Sequence, residues 1–558
     1  MYSQALLGRL TALLAPDGYT PRAESEARYA PRILDTAAEV MRVPPSPTGF
    51  VHIGTIYAGL VNERIAHQTG GVFILRIEDT DKQREVEGSA ELIIKAFKDF
   101  ELKYDEGPKT GGHYGPYYQS ERAKTYLGFA LDLLAKGRAY PCFAAPEELQ
   151  AAIAGQHAKK VRPGYYGAWA LWRDKSEAEI NAALDAGLAF VLRFRSEGSH
   201  AKRISYQDVF KGKMEVPQND LDVPLVKSGE HRLPTYHLAH VVDDYLMRVT
   251  KVFRSDEWLP STALHIEIAQ ALGLGPFTYG HFAPISILDK NGGGKRKLSK
   301  RKDDEADVKF WLEAGYPIEG IKAYLLGLAN SNFEDWYRQH PEEPLEHFVL
   351  SLEKLAASRA PLLDMQKCED YCKDFIARLA QPEFDRRLLA YAEQAGWSRF
   401  VDEAKSDITY NNKIFAIERS GPKPRKDMAK WSQAYEQYAY FFDGLFEDDF
   451  KNQGRDEFLS DFDLGTVFGA AQAFLKTYDV ADDQEAWFGK LKAAAAACGF
   501  AADSRDFKAN PAKYKGNVAD FARIIRVLLT GRNRTPDLWT IMQVMGAGRV
   551  GARLSVVQ

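Results

Sequence analysis

Cysteine is scarce in this chain. Its four thiols, Cys142, Cys368, Cys372 and Cys498, are spread through 558 residues, which excludes a disulfide scaffold and suits a reducing compartment. Long apolar runs are missing too. None approaches the ~18 residues of a membrane-spanning helix, so no membrane partner is expected. Neither sign of charge dominates: Lys plus Arg number 73 and Asp plus Glu 77, a net charge of −4. A wholesale basic coat is thereby excluded, and any nucleic acid must be gripped by local basic patches. Residues 1–15 lack the basic lead-in of a secretory signal, and Arg9 interrupts their apolar residues. What is present is globular composition, 45% hydrophobic, 12% aromatic and 27% charged. The length exceeds one compact core and implies three to five domains at ~100–200 residues each.

Leu6, Leu7, Leu10, Leu13 and Leu14 share one helical face. They read as a short helix, either docked on the body or offered to a partner. Residues 15–38, punctuated by Pro21 and Pro31, read as an extended connector.

From residue 39 the pattern sharpens. Residues 40–43 form a short apolar strand. Pro44, Pro45 and Pro47 stiffen the turn that follows, and Gly49 relaxes it. A helical pattern through Ile56, Leu60, Val61 and Ile65 ends at Gly70 and Gly71, and residues 72–77 are a second apolar strand. Strand, turn, helix and strand within about 40 residues are a βαβ unit of the doubly wound type. The N-terminus of its helix presents unpaired N–H groups and a positive dipole end. His52 lies beside that end and Gly54 allows close approach, which together suit a nucleotide phosphate. A second phosphate-handling segment is residues 295–302, where six of eight are basic, preceded by Gly292, Gly293 and Gly294. Lysines on a glycine-hinged loop can follow charge as it builds on phosphate.

The string Pro-Ser-Pro-Thr-Gly-Phe-Val-His-Ile-Gly-Thr at 45–55 resembles the HIGH motif of class I aminoacyl-tRNA synthetases. Lys297-Leu298-Ser299-Lys300-Arg301 resembles their KMSKS loop, in the family order. The string Arg-Ile-Glu-Asp-Thr-Asp at 76–81 is similar to that of glutamyl members of bacterial type. The resemblance covers roughly residues 40–558 and is strongest over 41–125 and 230–315. It implies a Rossmann-type α/β catalytic domain with an α+β acceptor-binding insertion, followed by an all-α anticodon-binding region. The implied boundaries are an N-terminal extension at 1–38, Rossmann halves at 39–122 and 233–295, the insertion at 123–232, the loop and stem-contact region at 296–365, and helices over 366–558.

The implied reaction is ATP-dependent attachment of L-glutamate to tRNA(Glu) through an adenylate, with Mg²⁺ accompanying the ATP, in a cytoplasmic monomer. By resemblance, His52, Thr55, Lys297 and Lys300 would be catalytic. His52, Gly54, Glu257, Lys297, Leu298, Ser299, Lys300 and Arg301 would bind ATP. Arg42, Ser46, Glu78, Tyr236, His240 and Arg254 would hold glutamate. His240 stands where glutamyl members commonly carry Asn. Some members bind zinc in the insertion through paired cysteines. Here Ala144 replaces the partner of Cys142, so no zinc is expected and Cys142 reads as a small buried residue.

Beyond residue 365 leucine and alanine periodicities dominate, as over 491–497. Basic stretches at 421–426 and 531–536 interrupt them, and Arg425 falls near where the family places its anticodon-reading arginine. Residues 443–463 carry eight acidic side chains against Lys451 and Arg455, a surface that should face away from RNA. Alternatives remain: charging of tRNA(Gln) as well, a glutaminyl ligase, a truncated tRNA-modifying relative, a silent RNA-binding paralogue, or a tRNA-independent nucleotidyltransferase.

Overall fold

The computed structural model describes residues 2–229, 231–289, 292–299, 301–357, 361–419, 421 and 424–555. The chain divides into two compact units. The first comprises residues 1–311 and 322–364, the second residues 312–321 and 365–558.

The first unit opens with α1 (Gln4–Leu14), capped by Ser3, whose side chain accepts from the Leu6 N–H. Leu6, Leu10 and Leu14 are buried in the same apolar cluster as Phe129 and Leu133, whereas Leu13 points to solvent. The helix is therefore docked on the body. The connector is not extended throughout, because α2 (Arg22–Arg28) follows at once. Pro21 does not oppose it, since at the N-cap position its missing N–H removes no helical bond. Arg22 also ties α2 to Glu26 and Asp132, each at 2.9 Å.

Next come β1 (Val40–Val43), α3 (Ile53–Gln68), β2 (Val72–Leu75) and α4 (Ser89–Asp99). β1 and β2 pair in parallel, from Val40 with Val72 to Val43 with Leu75. The βαβ unit stands as the periodicity predicts. The second strand ends at Leu75, where the Leu75 N–H donates to Glu106 O instead.

After α5 (Ala123–Ala135) the insertion contains β3 (Ala139–Cys142), α6 (Pro146–Ala158), α7 (Glu177–Asp185), β4 (Val191–Phe194), β5 (Arg203–Asp208), β6 (Gly212–Pro217) and β7 (Pro224–Val226). β3, β4 and β7 form one antiparallel sheet. The chain returns through α8 (Tyr236–Leu246), β8 (Lys251–Ser255), α9 (Thr262–Leu272) and β9 (Thr278–Phe282). β8 pairs in parallel with β9, and the β5–β6 hairpin joins them where Asp208 meets Tyr279. β1 lies against this sheet, with the Thr250 N–H donating to Val40 O at 3.0 Å. The C-terminal ends of β1, β2 and β8 thus converge above the N-terminus of α3, the usual place for a ligand in an open α/β sheet. A hairpin of β10 (Ser286–Leu288) and β11 (Lys295–Lys297) follows. Gly292 and Gly294, at φ of 79° and 84°, supply its left-handed turn conformations.

The second unit is helical. Among its described residues the one β-type contact is the isolated pairing of Ala501 with Asn517. Its core gathers Phe384, Phe400, Trp431, Phe441, Ile524 and Ile541. Cys368 and Cys372 are both buried on one helix.

Candidate active site

A cavity of about 690 Å³ opens where the strand ends converge. Its wall includes Arg42, Ser46, His52, Gly54, Thr55, Glu78, Tyr236, Arg254, Glu257, Lys297, Leu298 and Ser299. Segments far apart in sequence are thus brought to one space.

His52 is the N-cap of α3, in extended conformation, and its Nδ1 accepts the Gly54 N–H at 2.8 Å. With Nδ1 so used, the neutral ring carries its proton on Nε2. A Cβ at Gly54 would come to 2.8 Å from that same Nδ1, so only glycine lets the histidine fold back over the helix end. The result is a donor and a positive dipole end side by side.

The basic loop is held in shape from beneath. Asp303 accepts two hydrogen bonds from Arg296, each 2.7 Å, and one from the Ser299 N–H at 2.8 Å. The Leu298 N–H donates to Ile285 O, and its side chain is buried. Lys297 Nζ lies 2.6 Å from Glu257 Oε1, and this contact is the main cause that lowers the Glu257 carboxyl below its ordinary range. Lys300 lies outside the described residues. Arg301 is exposed and does not line the cavity.

Two arginines also line the cavity wall, Arg42 and Arg254. Arg42 is committed on two sides: Nε to both Asp244 oxygens at 3.2 Å, and Nη1 to Phe253 O at 3.0 Å. Of its five N–H groups, one on Nη1 and two on Nη2 are not used in these contacts. Arg254 donates Nε–H to His281 Nε2 at 2.9 Å, pairs Nη1 with His265 Nδ1 at 3.0 Å, and donates Nη2–H to Thr262 Oγ1 at 2.9 Å. Glu78 Oε1 accepts from Arg76 Nη2 at 3.3 Å and Gln119 Nε2 at 3.4 Å. Burial pushes the Glu78 carboxyl up to about 7, against the pull of Arg76 and Arg42.

One expectation needs correction. His240 does not line the cavity; it is fully buried, its ring stacked at 5.5 Å behind Tyr236. Its Nδ1 lies 2.7 Å from Asp244 Oδ2. Burial lowers the histidine to about 4, so it is a neutral wedge between Tyr236 and Asp244. It sits one helical turn past Tyr236 on α8, which turns it inward from the tyrosine it supports.

The model of the family described as "tRNA synthetases class I (E and Q), catalytic domain" matches residues 39–340. The chain belongs to this family. A protein named glutamate–tRNA ligase from Clostridium perfringens (strain 13 / Type A) is 42% identical over 537 residues, spanning 94% of this chain and 96% of the relative. One of the same name from Sorangium cellulosum (strain So ce56) is 39% identical over 569 residues, 95% of this chain and 97% of that one. Among solved structures, a glutamate tRNA ligase from Elizabethkingia meningosepticum CCUG26117, in complex with its amino acid, superposes with a TM-score of 0.69. It covers 94% of this chain and all of that one at 24% identity, a likeness of fold.

Family motifs do not name the charge network beneath the cavity. Asp243 and Asp244 on α8 face three buried guanidiniums. Asp244 Oδ1 is 2.7 Å from Arg76 Nη1, and Asp243 Oδ1 is 2.7 Å from Arg122 Nε. Gln119 and Tyr126 donate to Asp243 Oδ2 at 2.8 and 2.7 Å. The adjacent acids on a helix of otherwise apolar period were the available signal. Asp303 was likewise visible only as an acid after a basic run.

In the second unit, Arg425 is half-buried and ion-paired with Asp427, and its N–H donates to Glu418 O at 3.0 Å. In the insertion, the buried Cys142 Sγ lies 3.2 Å from Tyr165 Oη.

Proposed function

We propose that this enzyme is a glutamate–tRNA ligase, charging tRNA(Glu) with L-glutamate. The observation that carries the reading is the make-up of one cavity wall. It gathers groups suited to phosphate, His52 on the α3 end and Lys297, together with groups suited to an amino acid, Arg254, Arg42 and Glu78.

ATP enters with its phosphates toward the α3 N-terminus and the Lys297 loop; the magnesium ion it carries is part of the substrate. Glutamate lies with its side-chain carboxylate on Arg254, its α-carboxylate near Arg42, and its ammonium on Glu78, with Ser46 and Tyr236 alongside. An oxygen of the α-carboxylate attacks the α-phosphorus in line. The P–O bond to the β-phosphate breaks and pyrophosphate leaves with that electron pair. His52 Nε2–H, Lys297 and Lys300 stabilise the charge that develops on the phosphates. The terminal ribose hydroxyl of the tRNA then attacks the activated carbonyl, and AMP departs. No side-chain nucleophile is needed; positioning and electrostatics carry the catalysis. Thr55, Gly54, Glu257, Leu298, Ser299 and Arg301 shape the nucleotide end. In the helical unit Arg425 would exchange Asp427 for an anticodon base or phosphate. Residues 123–232 would hold the acceptor stem. The enzyme works as a cytoplasmic monomer.

Glutamate-dependent ATP–pyrophosphate exchange, with and without tRNA(Glu) and with glutamine in parallel, tests the reading. Exchange with glutamate supports it, exchange with glutamine alone moves the enzyme to glutaminyl ligation, and exchange with neither sinks it. Lys297→Ala should slow adenylation by about 10²- to 10³-fold, the range for one transition-state charge contact. Native tRNA binding should persist, and a near-wild-type exchange rate would remove the lysine from its role.

The glutamate site should also be pH-sensitive. The ammonium needs Glu78 ionised, and burial pushes the Glu78 carboxyl up to about 7. Its ionised fraction therefore falls about tenfold between pH 8 and pH 6, and kcat/KM for glutamate should fall with it. Glu78→Gln should be weak throughout and flat across that window. A wild-type acid limb that survives in Glu78→Gln would assign the titration elsewhere.

A further inference from the structure

The two arginines of the cavity wall differ in one respect. Arg42 has a carboxylate partner in Asp244. Among the described residues every partner of Arg254 is neutral: His281, His265, Thr262, a loose contact with Tyr236 Oη at 3.4 Å, and the face of Tyr279 at 4.7 Å. A guanidinium only 6% exposed and without a counter-ion is unusual, since buried charges are normally paired.

The neutral partners are themselves held in one protonation state. His281 is the direct cross-strand neighbour of Arg254 in the β8–β9 pair. Its Nδ1 lies 2.6 Å from Asp208 Oδ2, so Nδ1 carries the proton and Nε2 turns its lone pair to Arg254. Asp208 is fixed in turn, because its Oδ1 accepts from the backbone N–H groups of Phe210, Lys211 and His281 at 3.0, 3.1 and 3.2 Å. On the other side His265 Nε2 lies 3.0 Å from His237 Nδ1, which leaves His265 Nδ1 as the acceptor for Arg254. Burial lowers His281 and His265, and brings His237 to about 4. The imidazoles that touch Arg254 therefore stay uncharged at neutral pH, and the Asp208 carboxylate is one ring removed from the guanidinium. Carboxylates at these positions would orient the guanidinium equally well but would neutralise it. Imidazoles orient it and leave its charge in place.

We propose that Asp208, His281 and His265 are positioning residues that hold Arg254 rigid yet uncompensated, so that its counter-charge is the substrate's side-chain carboxylate. This rests on the reading of Arg254 as the receptor for that carboxylate. It adds that glutamate is preferred over glutamine through a shell none of whose histidines touches substrate. The Asp208 arm comes from the insertion, at the end of β5, so the shell also ties that hairpin to the amino-acid end of the cavity.

His281→Ala, His281→Gln and Asp208→Asn test it in aminoacylation assays with tRNA present, glutamate and ATP varied separately. His281→Ala should raise KM for glutamate at least about tenfold, the effect of losing one hydrogen bond to a charged group. KM for ATP should stay within about twofold, and the glutamate-to-glutamine preference should narrow. His281→Gln, whose amide oxygen can accept the Arg254 Nε–H, should recover most of the loss. Asp208→Asn keeps the size of the side chain but releases the His281 tautomer, and should move KM for glutamate in the same direction. It decides the matter if His281→Ala does not fold. Equal losses for glutamate and ATP, no change in KM for glutamate, or absence of rescue by Gln would each overturn the proposal. Wild-type protein that shows no glutamate-dependent exchange would instead overturn the functional reading beneath it.

Discussion

Arg254→Gln is expected to lower kcat/KM for glutamate by about 10²–10³, with KM for ATP changed by no more than about twofold. The magnitude follows from the missing counter-ion. A fully desolvated charge pair broken by removing one partner loses about 2–5 kcal/mol, and Arg254 is poised to form that pair only with a ligand. Glutamine fills much of the same space and can donate one hydrogen bond to His281 or His265, so the shell behind it need not collapse. Thr262 also retains a partner in Trp258 O, 3.3 Å away. The loss should therefore be a binding loss, confined to one substrate. Steady-state kinetics with glutamate and ATP varied in turn gives the split. Equal losses for the two would remove Arg254 from the amino-acid end of the cavity. A variant that gains activity with glutamine would go further, showing that this one charge sets the choice of side chain.

The parts of this site legible in the sequence are those in which chemistry and spacing coincide. A glycine two residues after a histidine at a strand–helix junction has one good explanation, and the structure has it: a ring folded onto the helix end. The basic segment after Gly292, Gly293 and Gly294 reads as a glycine-hinged loop, and residues 295–297 form one arm of a hairpin. What stayed hidden were the groups that act through others. His265 and His281 look like ordinary polar punctuation. Only the pairing of β8 with β9 and the packing of α8 on α9 put them around one arginine. His240 was misplaced for a related reason. Its spacing from Tyr236 puts the two on one helix face, but it does not say which of them is nearer the cavity. The helix at Arg22–Arg28 was missed because Pro21 reads as a break, whereas at a helix start proline breaks nothing. The helical C-terminal unit was legible because alanine and leucine periods need no partner to be recognised. The pairing of its Arg425 with Asp427 was not.

Asp244→Asn is expected to destabilise the first unit by about 3–5 kcal/mol, the range for removing one partner of a buried ion pair. The reason lies in the balance of charge beneath the cavity. Arg42, Arg76 and Arg122 are all but fully buried there, and their charges are matched by Glu78, Asp243 and Asp244. Asp244 serves two of the three arginines at once. An asparagine can accept from one of them, but its amide N–H groups would face the other. Burial alone would raise the Asp244 carboxyl, yet Arg42 and Arg76 outweigh burial and hold it well below the ordinary carboxylate range. A depressed native pKa means that the stabilisation is complete at neutral pH. It is lost only as acid carries the pH down through the depressed value, so unfolding at pH 7 reads the whole effect. Followed by thermal denaturation, the transition of this unit should fall by about 4–7 °C. A shift under about 2 °C would mean that solvent or neighbouring groups already compensate the arginines. The same substitution has a second, separable consequence at the site. Asp244 is one of the like charges that keep the Glu78 carboxyl high. With Asp244 neutral, Arg42 and Arg76 pull harder on Glu78, and the acid limb of the glutamate pH profile should move to lower pH. Stability and the pH profile would then shift together from one change in a residue that does not line the cavity.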